Sequence, residues 1–319
     1  MFSDNLKSQE KTSMNIKFIM ALLSGCAMTG GVWANPQSLP IAIQNARDLC
    51  SGISSSMNNM KTKAGINTGV TAVGTVAGGV ALGTGIYKAK VDEEIKSLED
   101  LLRELSEKKS DPEFYKKIEM SDEKINALLV EPMEETVSKL EKKSKTLGNV
   151  RTGTLAASTV TNIVGTAIAA TNKVEADLEE NIYKCTQAIK DLSQIKLAAK
   201  VEGTATDTDM ATADKIVNGC RDYEMVDLKP INKRATGAAV SSGIGVGTGV
   251  VGTITSAVAN SNSVRNGDYQ KEKAMNTTAN VMAGASTVAS ATATIFNATQ
   301  ISAIKKVVVV ADTCEGALQ

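Results

Sequence analysis

The chain has 319 residues, with 35 basic and 35 acidic side chains, no histidine and only 3% aromatic residues. The zero net charge argues against a nucleic-acid-binding protein, which needs a basic excess to neutralise phosphates. The absence of histidine removes the commonest general base and the commonest metal ligand. Because aromatic residues are so rare, any core must be built from small and β-branched side chains.

Residues 1–34 have the pattern of a signal peptide, with Met14 as the predicted start. A basic residue is followed by an apolar run, and the small residues Val32 and Ala34 fit cleavage after Ala34. Two alternatives remain open. The sequence LSGC, which ends at Cys26, resembles the bacterial lipoprotein processing motif, so that Cys26 would carry a lipid, and the segment could also stay uncleaved as an anchor. All three predict an exported bacterial protein that is periplasmic, bound to the cell envelope or extracellular.

Four segments carry no charged residue: 64–87, 152–172, 235–264 and 274–304. The first contains seven glycines, which are unfavourable in an isolated helix. Valine and threonine are frequent and favour strands, but the segments show no sustained alternation and no Asn-Gly hairpin signal. We therefore predict helices, with β structure as the alternative.

The charged region 88–146 gives the clearest helical pattern. Its apolar residues alternate in spacing between four and three, as in a coiled coil: Val91, Ile95, Leu98, Leu102 and Leu105. Asp111 is a suitable N-cap before Pro112, and Pro132 is predicted to start the returning helix. This region is predicted to be a coiled-coil arm that folds back on itself. It is either a solvated helical hairpin or a surface for a protein partner or for self-association.

The same spacing continues backwards from the arm into the first charge-free segment. There it falls on small residues, namely Thr84, Ala81, Ala77, Gly74 and Val70. Pairs of glycines four residues apart, which permit close helix contacts in membranes, occur at 65/69, 74/78, 243/247 and 245/249. The segment is therefore predicted to continue the helix, with its backbone packed closely against a partner.

These segments are compatible with two environments. A helix of 24 residues is about 36 Å long, which is enough to cross a bilayer. However, glycine, threonine, serine and asparagine contribute little to insertion, and the arm has no clear basic excess. A soluble helical bundle is the first prediction, and membrane contact through the four segments is the second.

The remaining regions are predicted to be short helices and connections. Residues 41–60 and 174–201 have amphipathic helical patterns, and residues 202–214 are polar and rich in threonine, as in a linker. Residues 260–270 are predicted to form a turn, which would be the short counterpart of the arm.

The cysteines that follow the signal peptide are Cys50, Cys185, Cys220 and Cys314. An even number in an exported chain predicts two disulfides. If each pair of charge-free segments forms an antiparallel helical hairpin, the flanking cysteines lie at the same end. We therefore predict the pairs Cys50–Cys185 and Cys220–Cys314.

The order of cysteines and segments also indicates an internal duplication. The sequence ASTV at 157–160 recurs at 285–288, an offset of 128 residues. The predicted fold is all-α, with two tandem antiparallel hairpins lined by glycine and alanine. The first unit is 35–201 with the arm 88–146, the linker is 202–214, and the second unit is 215–319.

No catalytic, cofactor-binding or metal-binding pattern is found. The sequence GIGVGTG at 243–249 has the glycine spacing of a nucleotide-binding loop, but no strand precedes it and glycine is common throughout. We expect a non-catalytic protein with a structural or interaction role in the envelope. The alternative is a membrane-inserting protein that acts as a channel or an inner-membrane scaffold.

Overall fold

The computed structural model describes residues 38–111, 113, 120–261, 264 and 269–319. The predicted signal peptide, Cys26 and the cleavage site after Ala34 lie outside these residues. The described residues contain helices and no strand, which confirms the all-α prediction. The helices are α1 (Leu39–Cys50), α2 (Ile53–Lys109), α3 (Asp122–Ile125), α4 (Glu131–Thr171), α5 (Ala176–Glu202), α6 (Asp207–Cys220), α7 (Lys229–Ala259) and α8 (Tyr269–Leu318).

The four long helices form a bundle in which each packs against two neighbours. Helix α2 contacts α4 and α8, and α7 contacts the same two helices. The antiparallel pairs α2/α4 and α7/α8 are the two predicted hairpins. They share one interior instead of folding as separate bodies, because each helix of one hairpin packs against a helix of the other.

The buried positions of the long helices follow a regular heptad spacing. In α7 all buried residues except Ser241 fit this spacing: Ile231, Ala235, Ala238, Ser242, Gly245, Gly249, Gly252, Ser256 and Ala259. In α2 the spacing passes through Thr71, Gly74, Gly78, Ala81 and Gly85. Alternating steps of four and three residues keep one stripe of each helix turned towards its neighbours. Of the seam predicted for α2, Gly74 and Ala81 are buried, whereas Val70, Ala77 and Thr84 are half-buried. The buried stripe of α2 is displaced from the predicted seam because α2 packs against two helices and not against one.

One end of the bundle is closed by a cap with an ordinary apolar core. Helices α1, α5 and α6 pack there with the first turns of α2 and the last turns of α8. Fully buried residues of this core are Met57, Leu192, Ile216, Ile231 and Ile304. Burial of such side chains contributes roughly 1.5–3 kcal/mol each.

The opposite end carries the predicted arm. The end of α2 runs alongside the start of α4. Leu98 and Leu102 of the predicted seam are half-buried there, and so is Val137 of α4. Ion pairs between residues one helical turn apart, such as Lys108 and Glu104, lie exposed on the surface of the arm. The hydrogen bond from Lys108 lowers the pKa of Glu104.

Three local features differ from the prediction. Gly52, with φ of 78°, separates α1 from α2, so the predicted helix over 41–60 is interrupted there. Pro132 lies in the first turn of α4, as predicted, but α4 does not begin from a loop, because a π-helical turn at Asn126–Val130 joins α3 to it. Such a turn accommodates a proline, which lacks an amide hydrogen and clashes with the preceding turn. Residues 207–214 of the predicted linker belong to α6, whose N-cap Thr206 accepts a hydrogen bond from the Asp209 amide.

Candidate functional site

The outer surface of the bundle between cap and arm is apolar. On α2 the exposed residues between Ala64 and Tyr87 are glycine, valine, isoleucine and tyrosine only. Comparable residues face outwards on the other three helices. We call this surface the apolar belt: Ile66, Val73, Val76, Val80, Ile86, Val160, Ile163, Val164, Val240, Ile244, Val250, Val251, Ile254, Val258, Val281, Val288 and Ile295. Val76 and Val288 are each 67% exposed. The belt is far more continuous than the scattered apolar residues of ordinary soluble surfaces.

The interior of the same region is polar. We call the buried polar column the polar axis: Asn67, Thr71, Ser158, Asn162, Ser242, Ser286, Ser290 and Asn297, with Asn172 and Gln300 at the cap end. Asn67 Nδ2 donates to Asn297 Oδ1 at 3.0 Å, and Gln300 Nε2 donates to the carbonyl of Asn172 at 2.9 Å. The bundle therefore has the reverse of a soluble protein's distribution, with polar residues inside and apolar residues outside.

Residues 128 positions apart meet on this axis. Ser158 Oγ and Ser286 Oγ lie 3.4 Å apart, and Ser290 Oγ donates to Asn162 Oδ1 at 2.9 Å. The two serines also make equivalent bonds within their hairpins. Ser158 Oγ donates to the carbonyl of Gly74 at 3.0 Å, and Ser286 Oγ donates to that of Gly245 at 3.2 Å. The diagonally placed helices α4 and α8 thus carry matching residues at the same level along the bundle axis.

The glycines divide into two groups. A Cβ atom on Gly78 would lie 2.6 Å from Thr287 Oγ1 and 3.3 Å from its Cα, so α2 and α8 approach closely there. Gly74 and Gly245 also face neighbouring side chains. By contrast, Gly65, Gly69, Gly79, Gly83, Gly243 and Gly247 have open space where a Cβ would be. Only two of the four predicted glycine pairs, 74/78 and 245/249, therefore form the contacts of the bundle interior.

Gly78→Ala should lower the free energy of unfolding by about 1–3 kcal/mol, because the added methyl group overpacks the α2/α8 contact. Gly79→Ala is the matched control, since it adds the same methyl group at an open position of the same helix. It should leave stability unchanged or raise it by up to about 1 kcal/mol through helix propensity. Thermal unfolding of both variants checks this, and equal effects would contradict the packing described.

One apolar layer interrupts the polar interior. Leu155 packs with Ala81 and Ala283, all fully buried, and Leu82 lies against them. On its cap side lie Ser158 and Ser286 of the polar axis. On its arm side lies a second polar group centred on Arg151, so the layer separates two polar regions.

Buried charges are concentrated at the arm end. Lys88 Nζ is 2.5 Å from Asp92 Oδ2 and 2.8 Å from Glu272 Oε1, and its side chain has no exposed surface. Arg151 is also fully buried and donates to Ser256 Oγ at 2.8 Å and to Asn276 Oδ1 at 2.7 Å. Lys88 and Arg151 each adjoin a charge-free segment, so this charge cluster marks one edge of the apolar belt.

The disulfides lie in the cap, at the other edge of the apolar belt. Cys50 pairs with Cys185, and Cys220 pairs with Cys314, with Cα–Cα distances of 4.7 and 4.3 Å. Both predicted pairings are confirmed. The sulfur atoms of Cys50, Cys185 and Cys314 lie within 4.8 Å of one another. As disulfide sulfurs they are not the thiolates that a metal ion requires. Nearby, burial and the carboxylates of Glu315 and Asp312 raise the pKa of Tyr223.

Three helical stretches among the described residues are long and apolar enough to cross a membrane: Leu39–Lys109, Asp122–Glu202 and Lys229–Ala259. Helix α8 completes the bundle and carries more of the polar axis residues than any other helix. The charge cluster and the polar axis were not anticipated from the sequence. Their signal was present in α8, where polar residues such as Asn276, Ser290 and Asn297 recur at the heptad spacing expected for apolar ones.

The fold and its disulfides define a disulfide-bonded, all-helical protein. In comparisons with known proteins, no family model matches the chain, and no curated protein or solved structure matches it significantly.

Proposed function

We propose that the chain is a non-catalytic integral protein of a bacterial envelope membrane, in which α2, α4, α7 and α8 cross the bilayer. This is the second of the two functions predicted from the sequence. The observation that carries it is the reversed distribution of residues in the bundle. Valine and isoleucine face outwards while asparagine, serine and threonine are buried, which suits lipid surroundings, where polar residues bind helices to one another.

A soluble bundle is less well supported by the same surface. In water, the burial of polar groups costs free energy unless all of them are hydrogen-bonded. Exposed valine side chains contribute nothing to the stability of a fold in water. The charge-free length of α2 also fits a membrane, since 24 residues span about 36 Å against a hydrocarbon thickness of about 30 Å.

The cap and the arm then lie on opposite faces of the membrane. Disulfides are typical of oxidising compartments, so the cap belongs on the exported side. Four spans return the chain to the side on which α2 begins, and this fits all four cysteines lying in one cap. The arm lies on the cytoplasmic side, where it serves as the contact for a protein partner or for a second copy. The molecule thus acts as a scaffold between the two faces.

The internal duplication remains a proposal, and the bundle supports it. The contacts of Ser158 with Gly74 and of Ser286 with Gly245 are equivalent under the offset of 128 residues in α4 and α8. We infer that the bundle descends from a single hairpin whose two copies pair about a common axis. The longer connection in the first copy is the arm.

The proposed membrane insertion is tested by washing membranes of cells that produce the full chain with alkaline carbonate. The protein should stay in the membrane fraction, and so should the variant Cys26→Ser, which has no lipid-bearing cysteine. Release of both proteins would contradict insertion and indicate a soluble bundle. Release of the Cys26→Ser variant alone would show that a lipid, and not the bundle, holds the protein.

A further inference from the structure

At the edge of the apolar belt next to the cap, hydrogen bonds hold residues of all four long helices at one level. Asn172, which directly follows α4, donates through Nδ2 to the carbonyl of Met60 at 3.2 Å and accepts at its own carbonyl from Gln300. The amide of Val174 donates to Asn232 Oδ1 at 2.7 Å. Residues near these positions in the sequence therefore form a ring around the bundle.

This ring is basic. The ranges 60–63, 172–174, 231–234 and 299–306 contain basic residues and no acidic one. We call these residues the basic collar: Lys61, Lys63, Lys173, Lys233, Arg234, Lys305 and Lys306. Lys61 and Arg234 are half-buried, and the other members are exposed. Within the described part of the chain none of them forms an ion pair.

The arm edge of the belt has a different charge pattern. There Lys88 is paired with Asp92 and Glu272, and the exposed Lys90 and Lys273 line a groove together with the same two carboxylates. Positive charge is therefore compensated at the arm edge and uncompensated in the collar. In a bilayer the collar lies at the level of the headgroups, whose net negative charge attracts lysine and arginine.

A groove of about 380 Å³ crosses the collar between α7 and α8. It follows α8 from Ser302 to Val310, and Arg234 and Lys306 line it. Arg234 Nη1 donates to the carbonyl of Thr299 at 2.8 Å, which holds the guanidinium group in place. Its other N–H groups make no hydrogen bond to the described residues and can donate to a phosphate.

Two carboxylates also line this groove, but both already accept hydrogen bonds. Asp222 Oδ1 accepts from Arg221 Nε at 3.4 Å, and Asp227 Oδ1 accepts from the amide of Lys229 at 3.0 Å. The apolar part of the lining is formed by Met225, Val226, Val307 and Val310. Cations beside apolar walls at the edge of the belt suit a lipid, whose phosphate adjoins its acyl chains, better than they suit an ion in water.

We propose that the basic collar binds anionic phospholipids of the cap-side leaflet, with a preferred headgroup site in the groove between Arg234 and Lys306. This inference rests on the proposed membrane insertion. It names the lipid class that surrounds one edge of the belt.

The test uses the purified full chain in phosphatidylcholine vesicles that contain a trace of spin-labelled phosphatidylglycerol or spin-labelled phosphatidylcholine. Electron paramagnetic resonance measures the fraction of each label that the protein immobilises. Wild-type protein should prefer phosphatidylglycerol several-fold, and Arg234→Gln with Lys306→Gln should lower this preference by about twofold or more. Arg234→Lys with Lys306→Arg keeps both charges and should keep the preference. Lys90→Gln with Lys273→Gln is the matched control, because it removes the same charge at the arm edge, and it should leave the preference unchanged.

Carbonate washing of the same vesicles separates the two proposals. If the wild-type protein stays in the vesicles without a preference for phosphatidylglycerol, the lipid site is refuted, insertion stands, and the collar is left to an acidic protein surface. If the protein washes off, insertion fails and the lipid site fails with it. Equal losses of preference in the groove variant and the arm-edge variant would show that total charge attracts the lipid, and would overturn the inference.

Discussion

Lys88→Ala should lower the free energy of unfolding by about 3–5 kcal/mol, the cost of breaking a buried ion pair from one side. The substitution leaves the carboxylates of Asp92 and Glu272 close together, with side chains only 13% and 10% exposed. The positive charge of Arg151 remains nearby and partly compensates, so we expect a value near the lower limit. Unfolding in detergent micelles, followed by circular dichroism, measures the change.

Lys96→Ala is the matched control for this variant. Lys96 also pairs with an aspartate one turn later in α2, but both side chains are more than a third exposed. Exposed pairs contribute about 0–1 kcal/mol, so this variant should be nearly as stable as the wild type. Adding Glu272→Gln to Lys88→Ala should recover part of the loss. Similar effects of the two lysine variants, or no recovery, would show that the charge cluster does not stabilise the bundle.

Removing one disulfide with Cys50→Ser and Cys185→Ser should lower the free energy of unfolding by about 2–5 kcal/mol. This bridge closes a loop with a sequence separation of 135 residues and fastens α1 to α5. Its loss increases the conformational freedom of the unfolded chain and leaves two polar hydroxyls in the apolar core of the cap. Thermal unfolding of the oxidised proteins gives the comparison.

The companion variant Cys220→Ser and Cys314→Ser removes a bridge with a separation of 94 residues. Because loop-closure entropy rises only slowly with length, it should lose a similar amount. Mass mapping of the wild-type protein should find peptides linked through Cys50–Cys185 and through Cys220–Cys314. A Cys50–Cys220 link, or unchanged stability of both variants, would contradict the structure of the cap.

The helices of this fold could be predicted from the sequence because their signals are local, and the disulfides could be predicted because the cysteines flank the charge-free segments in a regular order. The heptad seam from Val91 to Leu105 sets the arm, and the order of cysteines and charge-free segments sets the pairing of sulfurs. The helical state of segment 64–87 could be deduced from the continuity of spacing, although glycine and threonine have low helix propensity.

The packing of the two hairpins could not be predicted in the same way. An interior is normally recognised by its apolar residues, but here asparagine, serine and glycine occupy the buried heptad positions and valine lies outside. The polar content of the segments, taken over their whole length, favours a soluble bundle. The distribution of polar residues around each helix axis, which separates Asn67 and Thr71 from Ile66 and Val73, supports the proposed membrane bundle instead.

Spin-label accessibility in a reconstituted bilayer decides whether the apolar belt faces lipid. Single cysteines at Val76, Val251 and Val288 of the belt should carry labels that collide often with oxygen and rarely with a water-soluble nickel complex. Cysteines at Tyr183 and Val201, exposed on α5 of the cap, should show the reverse. Labels on the belt that are as accessible to nickel as those on the cap would place the bundle in water, and the membrane-spanning role would have to be abandoned.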